Sequence, residues 1–217
     1  GISLQLATGR GVKALGDSAD ALCKSVTLTP PGADAKGIES LNSRQRRAAG
    51  DALLRFFFAQ WRNEGGLFLD LRPSRLAWEH GRLHFTASGL YARLGEDFRH
   101  GMIALYRGFY LPDDGLFDAA LRDLGFVKKG LGKSDVATLR ALLRQHFGTA
   151  STQQRFSIEE FRESFDALFD FFIEHDYRLP PDFVLVGFYL ITLYLSLDEL
   201  GARHNVRDLC LEELGGP

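Results

Sequence analysis

Residues 67–94 read LFLDLRPSRLAWEHGRLHFTASGLYARL, and they hold the one convincing β signal in the chain. Leu67-Phe68-Leu69 is a short apolar run. Arg75-Leu76-Ala77-Trp78 and Arg82-Leu83-His84-Phe85-Thr86 flank Glu79-His80-Gly81. Short strand-like runs about a glycine-bearing turn predict a β-hairpin. Outward from it, apolar residues recur at helical spacing. Arg44 to Glu64 places Leu53, Leu54, Phe57, Phe58 and Trp61 on one stripe, stopped by Gly65-Gly66. Downstream, residues 96–110 carry Phe98, Met102, Leu105, Tyr106 and Phe109. Pro112-Asp113 opens a helix to Leu124, and Ser134 can cap 135–147. Ser157 and Glu160 have capping-box spacing ahead of a Phe-rich helix to about Glu174. Pro180-Pro181-Asp182 leads into 183–197, and a last helix covers about 205–214. The expected architecture is mainly α, a helical bundle with one small β-hairpin.

With 217 residues, 45% hydrophobic and 25% charged, the chain has an ordinary globular composition. Its net charge of −2 supplies no field toward a polyanion, so no nucleic-acid partner is expected. Arginine outnumbers lysine 20 to 6, which suits either a solvated surface or bidentate anion binding. Residues 1–42, rich in Gly, Ser, Thr, Asp and Ala around Pro30-Pro31-Gly32, read as an extended arm or linker; 43–217 read as the helical domain. Residues 1–22 contain no long apolar run, and Cys23 and Cys210 stand far apart without ligand spacing. A secretory leader, a disulfide framework and a zinc site are therefore not expected, and the expected location is cytoplasmic. Residues 183–197 would span roughly 22 Å as a helix, against a hydrocarbon core of ~30 Å. A buried central helix is expected rather than a transmembrane span, with peripheral membrane contact as the alternative.

Phosphate-cradling loops and nucleophile elbows are missing from the sequence, and the six histidines are scattered. His80 and His84 are separated by a turn glycine, so they do not share a helix face. Asp70 is the distinctive carboxylate: it lies between a strand-like run and the Arg72-Pro73 turn, just before the hairpin. There it could take a proton from a hydroxyl. A turn carboxylate paired with Arg72 or Arg75 reads equally well.

The order long helix, Gly65-Gly66-Leu67-Phe68-Leu69-Asp70-Leu71-Arg72-Pro73, hairpin, then Ala87-Ser88-Gly89-Leu90-Tyr91-Ala92-Arg93-Leu94 and Glu96-Asp97-Phe98-Arg99 resembles the C-terminal lobe of the UbiB (AarF) family of atypical kinases. That family's catalytic loop reads roughly H-A-D-P-H-P-G-N-L and its metal loop D-F-G-M-V-G-R-L. Leu116–Val127 and the segment Arg178-Leu179-Pro180-Pro181 extend the likeness over about residues 45–210. The resemblance implies a kinase C-lobe-like fold without an N-lobe.

It also implies a degenerate site. Aligned on the family's loops, Asp70 keeps the catalytic Asp, but Arg75 stands at the metal-binding Asn and Ala87 at the metal-binding Asp. Phosphoryl transfer needs a magnesium ion held by those two ligands. The expectation is a catalytically inactive pseudokinase lobe acting as a scaffold or protein-interaction module, with no metal and no cofactor. Its partner would be another protein or another domain of a longer polypeptide. Arg72 and Arg75 remain candidate anion-binding groups. The alternatives are a phosphotransferase or ATPase completed by another chain, with Asp70 as base, and a lipid- or isoprenoid-binding domain using the Phe-rich helices.

Overall fold

The computed structural model describes residues 4–5, 26–64, 66–87, 90–147 and 153–215. Helix α1 (Ser43–Gln60) starts at Asn42, whose side chain accepts from Gln45 N while the Gln45 side chain accepts from Asn42 N. This reciprocal box satisfies two of the donors that a helix start leaves unpaired. Beyond it come α2 (Glu96–Tyr110), α3 (Asp114–Asp123), α4 (Lys133–Phe147), α5 (Ile158–Glu174), α6 (Pro181–Leu200) and α7 (Val206–Leu214). The caps fall largely where the sequence placed them. Asp113 accepts from Leu116 N, and Ser157 from Glu160 N. Helix α4 begins at Lys133, so Ser134 lies inside its first turn rather than at the cap position expected of it.

The hairpin is β5 (Leu76–Glu79) and β6 (Arg82–Phe85), in register Glu79 to Arg82. His80 at φ 48° and Gly81 at φ 78° form the two-residue connection, both in the left-handed region that such a tight turn requires. More β structure exists than one hairpin. The two-residue strands β2 (Val26–Thr27) and β3 (Lys36–Gly37) flank it in a sheet of order β2-β6-β5-β3. A second sheet sets β7 (Tyr91–Ala92) between β1 (Leu4–Gln5) and β4 (Leu67–Phe68), and β8 (Gln154–Arg155) pairs with β9 (Arg203–His204). Two-residue strands carry no periodicity for a sequence reading to detect. Before Ser43 the described residues 26–42 are only partly extended: β2 and β3 are followed by a 3₁₀ turn (Ile38–Ser40), and the segment contributes to the core through buried Val26 and Ile38. Residues 6–25, with Cys23, lie outside the described residues, as do Gly65, Ser88 and Gly89.

One apolar core joins all layers. Its centre is aromatic: Phe57 stacks on Tyr189 with centroids 4.6 Å apart, and Tyr106 meets Phe57, Phe58, Trp61 and Phe147 edge-on or tilted. Each such ring contributes roughly 1.5–3 kcal/mol by leaving water. Helix α6 is longer than the apolar run alone, because Pro181 and Asp182 form its first turn and Asp198–Leu200 its last; it stops at Gly201, φ 60°. Its 20 residues correct the shorter length expected above. By length and composition it could cross a membrane, yet 56% of its most apolar stretch is buried inside the fold.

The arginine excess has a structural use. Arg99 donates to Trp61 O at the end of α1, Arg207 to Tyr110 O at the end of α2, Arg46 to Glu199 O at the end of α6 and Arg62 to Glu213 O at the end of α7. Lys128 does the same for α5 through His175 O. Cations at helix C-termini satisfy orphaned carbonyls and complement the helix dipole.

Candidate functional site

The Asp70 loop is held from below by α1 and α6. Gln60, at the end of α1, accepts from Phe68 N at 2.6 Å and donates to Tyr189 Oη at 2.7 Å. Thr192 Oγ1 accepts from Leu71 N at 3.1 Å and donates to Leu69 O at 2.7 Å, and Ser196 Oγ donates to Leu71 O. From the other side Leu69 N donates to Leu90 O, 2.9 Å. These bonds fix the backbone on both sides of Asp70.

Asp70 itself is only 1% exposed, and both of its oxygens are taken. Arg72 grips it in a fork, Nε to Oδ1 at 2.7 Å and an Nη to Oδ2 at 2.8 Å, while Arg75 Nε reaches Oδ2 at 3.1 Å. The 3₁₀ turn Pro73–Arg75, closed by Arg75 N to Arg72 O, brings the two guanidinium groups to one carboxylate. Hydrogen bonding from Arg72 outweighs burial and, with Arg75, holds the Asp70 carboxyl at about 2, below the ordinary 3.8. The Asp70 carboxylate raises Arg72 in return.

Of the residues singled out in the sequence, Asp70, Arg72 and Arg75 come together as one ion cluster. Ala87 sits next to it: Thr86 N donates to Arg75 O at 2.8 Å, and the Ala87 methyl packs against the core. A magnesium ion does not fit these residues. A guanidinium and a methyl occupy the two ligand positions implied by the resemblance, and the remaining carboxylate is fully engaged by cations. As anion-binding groups, Arg72 and Arg75 have their Nε donors committed to Asp70, which leaves the cluster one net positive charge on a partly exposed rim.

Gln60, Tyr189, Thr192 and Ser196 were not singled out from sequence. The signal for three of them exists: of the four hydroxyl-bearing residues in the most apolar segment, Tyr189, Thr192 and Ser196 are spaced three and four apart on one helix face, whereas Tyr194 falls off that row. Two buried histidines lie elsewhere. His146 Nδ1 is 3.0 Å from Ser164 Oγ among Phe147, Phe161 and Phe165, and burial pushes it down to about 4. His204 Nδ1 is 2.7 Å from Asp51 Oδ1.

No protein-family profile matches this chain, and no curated protein matches it.

Proposed function

We propose that the chain is a kinase C-lobe-like module of UbiB type that has lost phosphoryl transfer and works as a scaffold or protein-interaction unit. The observation that carries this reading is the closure of Asp70 by Arg72 and Arg75. A general base must offer a free lone pair to the hydroxyl it deprotonates. Here both oxygens are held by guanidinium groups and the carboxyl is drawn to about 2, which makes it a poor proton acceptor. The order of elements lends support: a long helix, a short strand, the Asp70 loop, a hairpin, and a strand β7 that returns to pair with β4. Completion by another chain into an active phosphotransferase would require Asp70 to leave two charged partners, which costs about 1–2 kcal/mol once solvent screening of the partly exposed arginines is counted.

The test is thermal denaturation with millimolar ATP and magnesium. A ligand that binds the native state raises its stability by mass action. The expected result is an unchanged Tm with ATP, with magnesium and with both together. A magnesium-dependent rise with ATP that Asp70→Asn removes would overturn the reading.

A further inference from the structure

Helices α5 and α6 form an antiparallel pair whose outer surface no described element covers. Phe172 meets Phe183 and Phe161 meets Tyr194 on the inner side, which fixes the register. On the outer side Phe165 lies across α6 at Gly187, where an added Cβ would come 3.1 Å from its ring. Val184, Phe188 and Ile191 follow one another at spacings of four and three, all exposed, with Val184 at 60%. Ile173 on α5 is 72% exposed, and with Phe165 and Phe169 it lines an open trough of about 480 Å³. The trough is lined by α5 residues, and it borders the α6 row where Phe165 crosses Gly187, the residue before Phe188. Exposed apolar rows of this kind mark interaction sites on folded chains.

The charge along this surface selects the partner. Asp166 and Asp170 line the same trough, and Glu163 and Glu174 continue their row at helical spacing. None of these four carboxylates has an ion-pair partner among the described residues, whereas Arg162 on the same helix is engaged by Glu159. An anionic lipid surface would be repelled by such a row. A helix with an apolar stripe and flanking lysines or arginines satisfies the trough and the row together.

We propose that the α5–α6 face is a docking groove for a basic amphipathic helix of a partner protein. The proposal deepens the interaction-module reading and rests on it, while owing nothing to the Asp70 cluster. Helix α6 thus has two uses. Its inner row of Tyr189, Thr192 and Ser196 holds the Asp70 loop, and its outer row of Val184, Phe188 and Ile191 receives the partner.

The experiment measures fluorescence anisotropy of a labelled synthetic peptide of roughly 18 residues, about 27 Å as a helix. It carries leucines at amphipathic spacing and lysine flanks; a second peptide has glutamate for every lysine. Phosphatidylcholine–phosphatidylglycerol vesicles supply a membrane arm. The lysine peptide is expected to bind one-to-one and more weakly as salt rises, and the glutamate peptide is expected not to bind. The double variant Asp166→Lys/Asp170→Lys and the single variant Phe188→Asp should each weaken binding about tenfold or more, with unchanged circular dichroism. Failure of the lysine peptide to bind, equal binding of both peptides, or binding untouched by Phe188→Asp would overturn the proposal. Vesicle binding abolished by Phe188→Asp would overturn the choice of a protein partner. The ATP titration judges phosphate handling at a different face, so the two results are read independently.

Discussion

The imidazole of His204 fills the space that a side chain at Gly50 would need. A Cβ at Gly50 would lie 2.3 Å from Cε1 and 2.5 Å from Nε2 of that ring. The ring cannot give way freely, because it is completely buried and its Nδ1 is held by Asp51 at 2.7 Å. Helix propensity alone would favour alanine at this interior position by about 1 kcal/mol. Overpacking of about 1–3 kcal/mol opposes it and wins. Gly50→Ala is therefore expected to lower the urea midpoint of the wild-type protein and to be neutral or favourable in a His204→Ala background. Equal effects in both backgrounds would show that the two sites are not in contact.

The Asp70 cluster makes stability depend on acid pH in a defined window. Its carboxyl titrates at about 2 in the folded chain against 3.8 ordinarily, so between these values the unfolded chain binds more protons. The stabilisation is complete above about pH 4 and is lost as pH falls toward 2. Because both arginines are partly exposed, solvent screens the cluster, and about 1–2 kcal/mol is the expected size. Asp70→Asn should remove this part of the pH dependence and cost a similar amount at pH 7. Denaturation curves between pH 2 and 5 for the two proteins check it, and parallel curves would contradict it.

What could be read from residues alone divides along physical lines. The helices were legible because apolar stripes and capping side chains are local: Asp113, Ser157 and Pro181 mark starts by chemistry confined to one turn. The ion pairing of Asp70 was legible as one of two readings, since Arg72 and Arg75 lie within five residues; that both engage it depends on the turn between them. The long-range ties were not legible. Arg46 reaches Glu199 O and Arg207 reaches Tyr110 O across 153 and 97 residues, and nothing in composition distinguishes these arginines from surface ones. The strands β2 and β3 are illegible for the same reason, being defined by their partners β6 and β5 rather than by their own residues.

His146 gives a second, separate pH dependence. Burial among aromatic rings lowers it to about 4, so it is neutral in the folded chain over a range where the unfolded histidine, at an ordinary 6.5, becomes charged. The unfolded chain then binds the extra proton, and stability falls as pH drops from about 6.5 to 4, by up to about 3 kcal/mol. His146→Phe keeps an aromatic ring in that setting. It forfeits only the contact with Ser164, whose hydroxyl still donates to Phe161 O at 2.9 Å. The variant is expected to match the wild type at pH 7 within about 1–2 kcal/mol and to exceed it at pH 4.5. Chemical denaturation at the two pH values reads the crossing, and an unchanged pH slope in the variant would refute the assignment.

Among the described residues, Thr192 is the side chain that ties the core helix to both sides of Asp70, and replacing it with valine isolates that tie. Valine has nearly the same shape, so packing against the surrounding core is retained. The hydroxyl is lost, and with it the acceptor for Leu71 N and the donor to Leu69 O. Both backbone groups belong to buried residues, and each group left unsatisfied costs about 1–3 kcal/mol. The expected result is a global destabilisation of that size together with faster amide exchange at Leu71 than at the hairpin residues Leu76 and Leu83. Ser196→Ala, which removes only the bond to Leu71 O, should cost less and leave exchange at Leu71 closer to wild type. Equal exchange at Leu71 in all three proteins would mean that the loop is fixed by Leu90 and the Asp70 ion cluster rather than by α6.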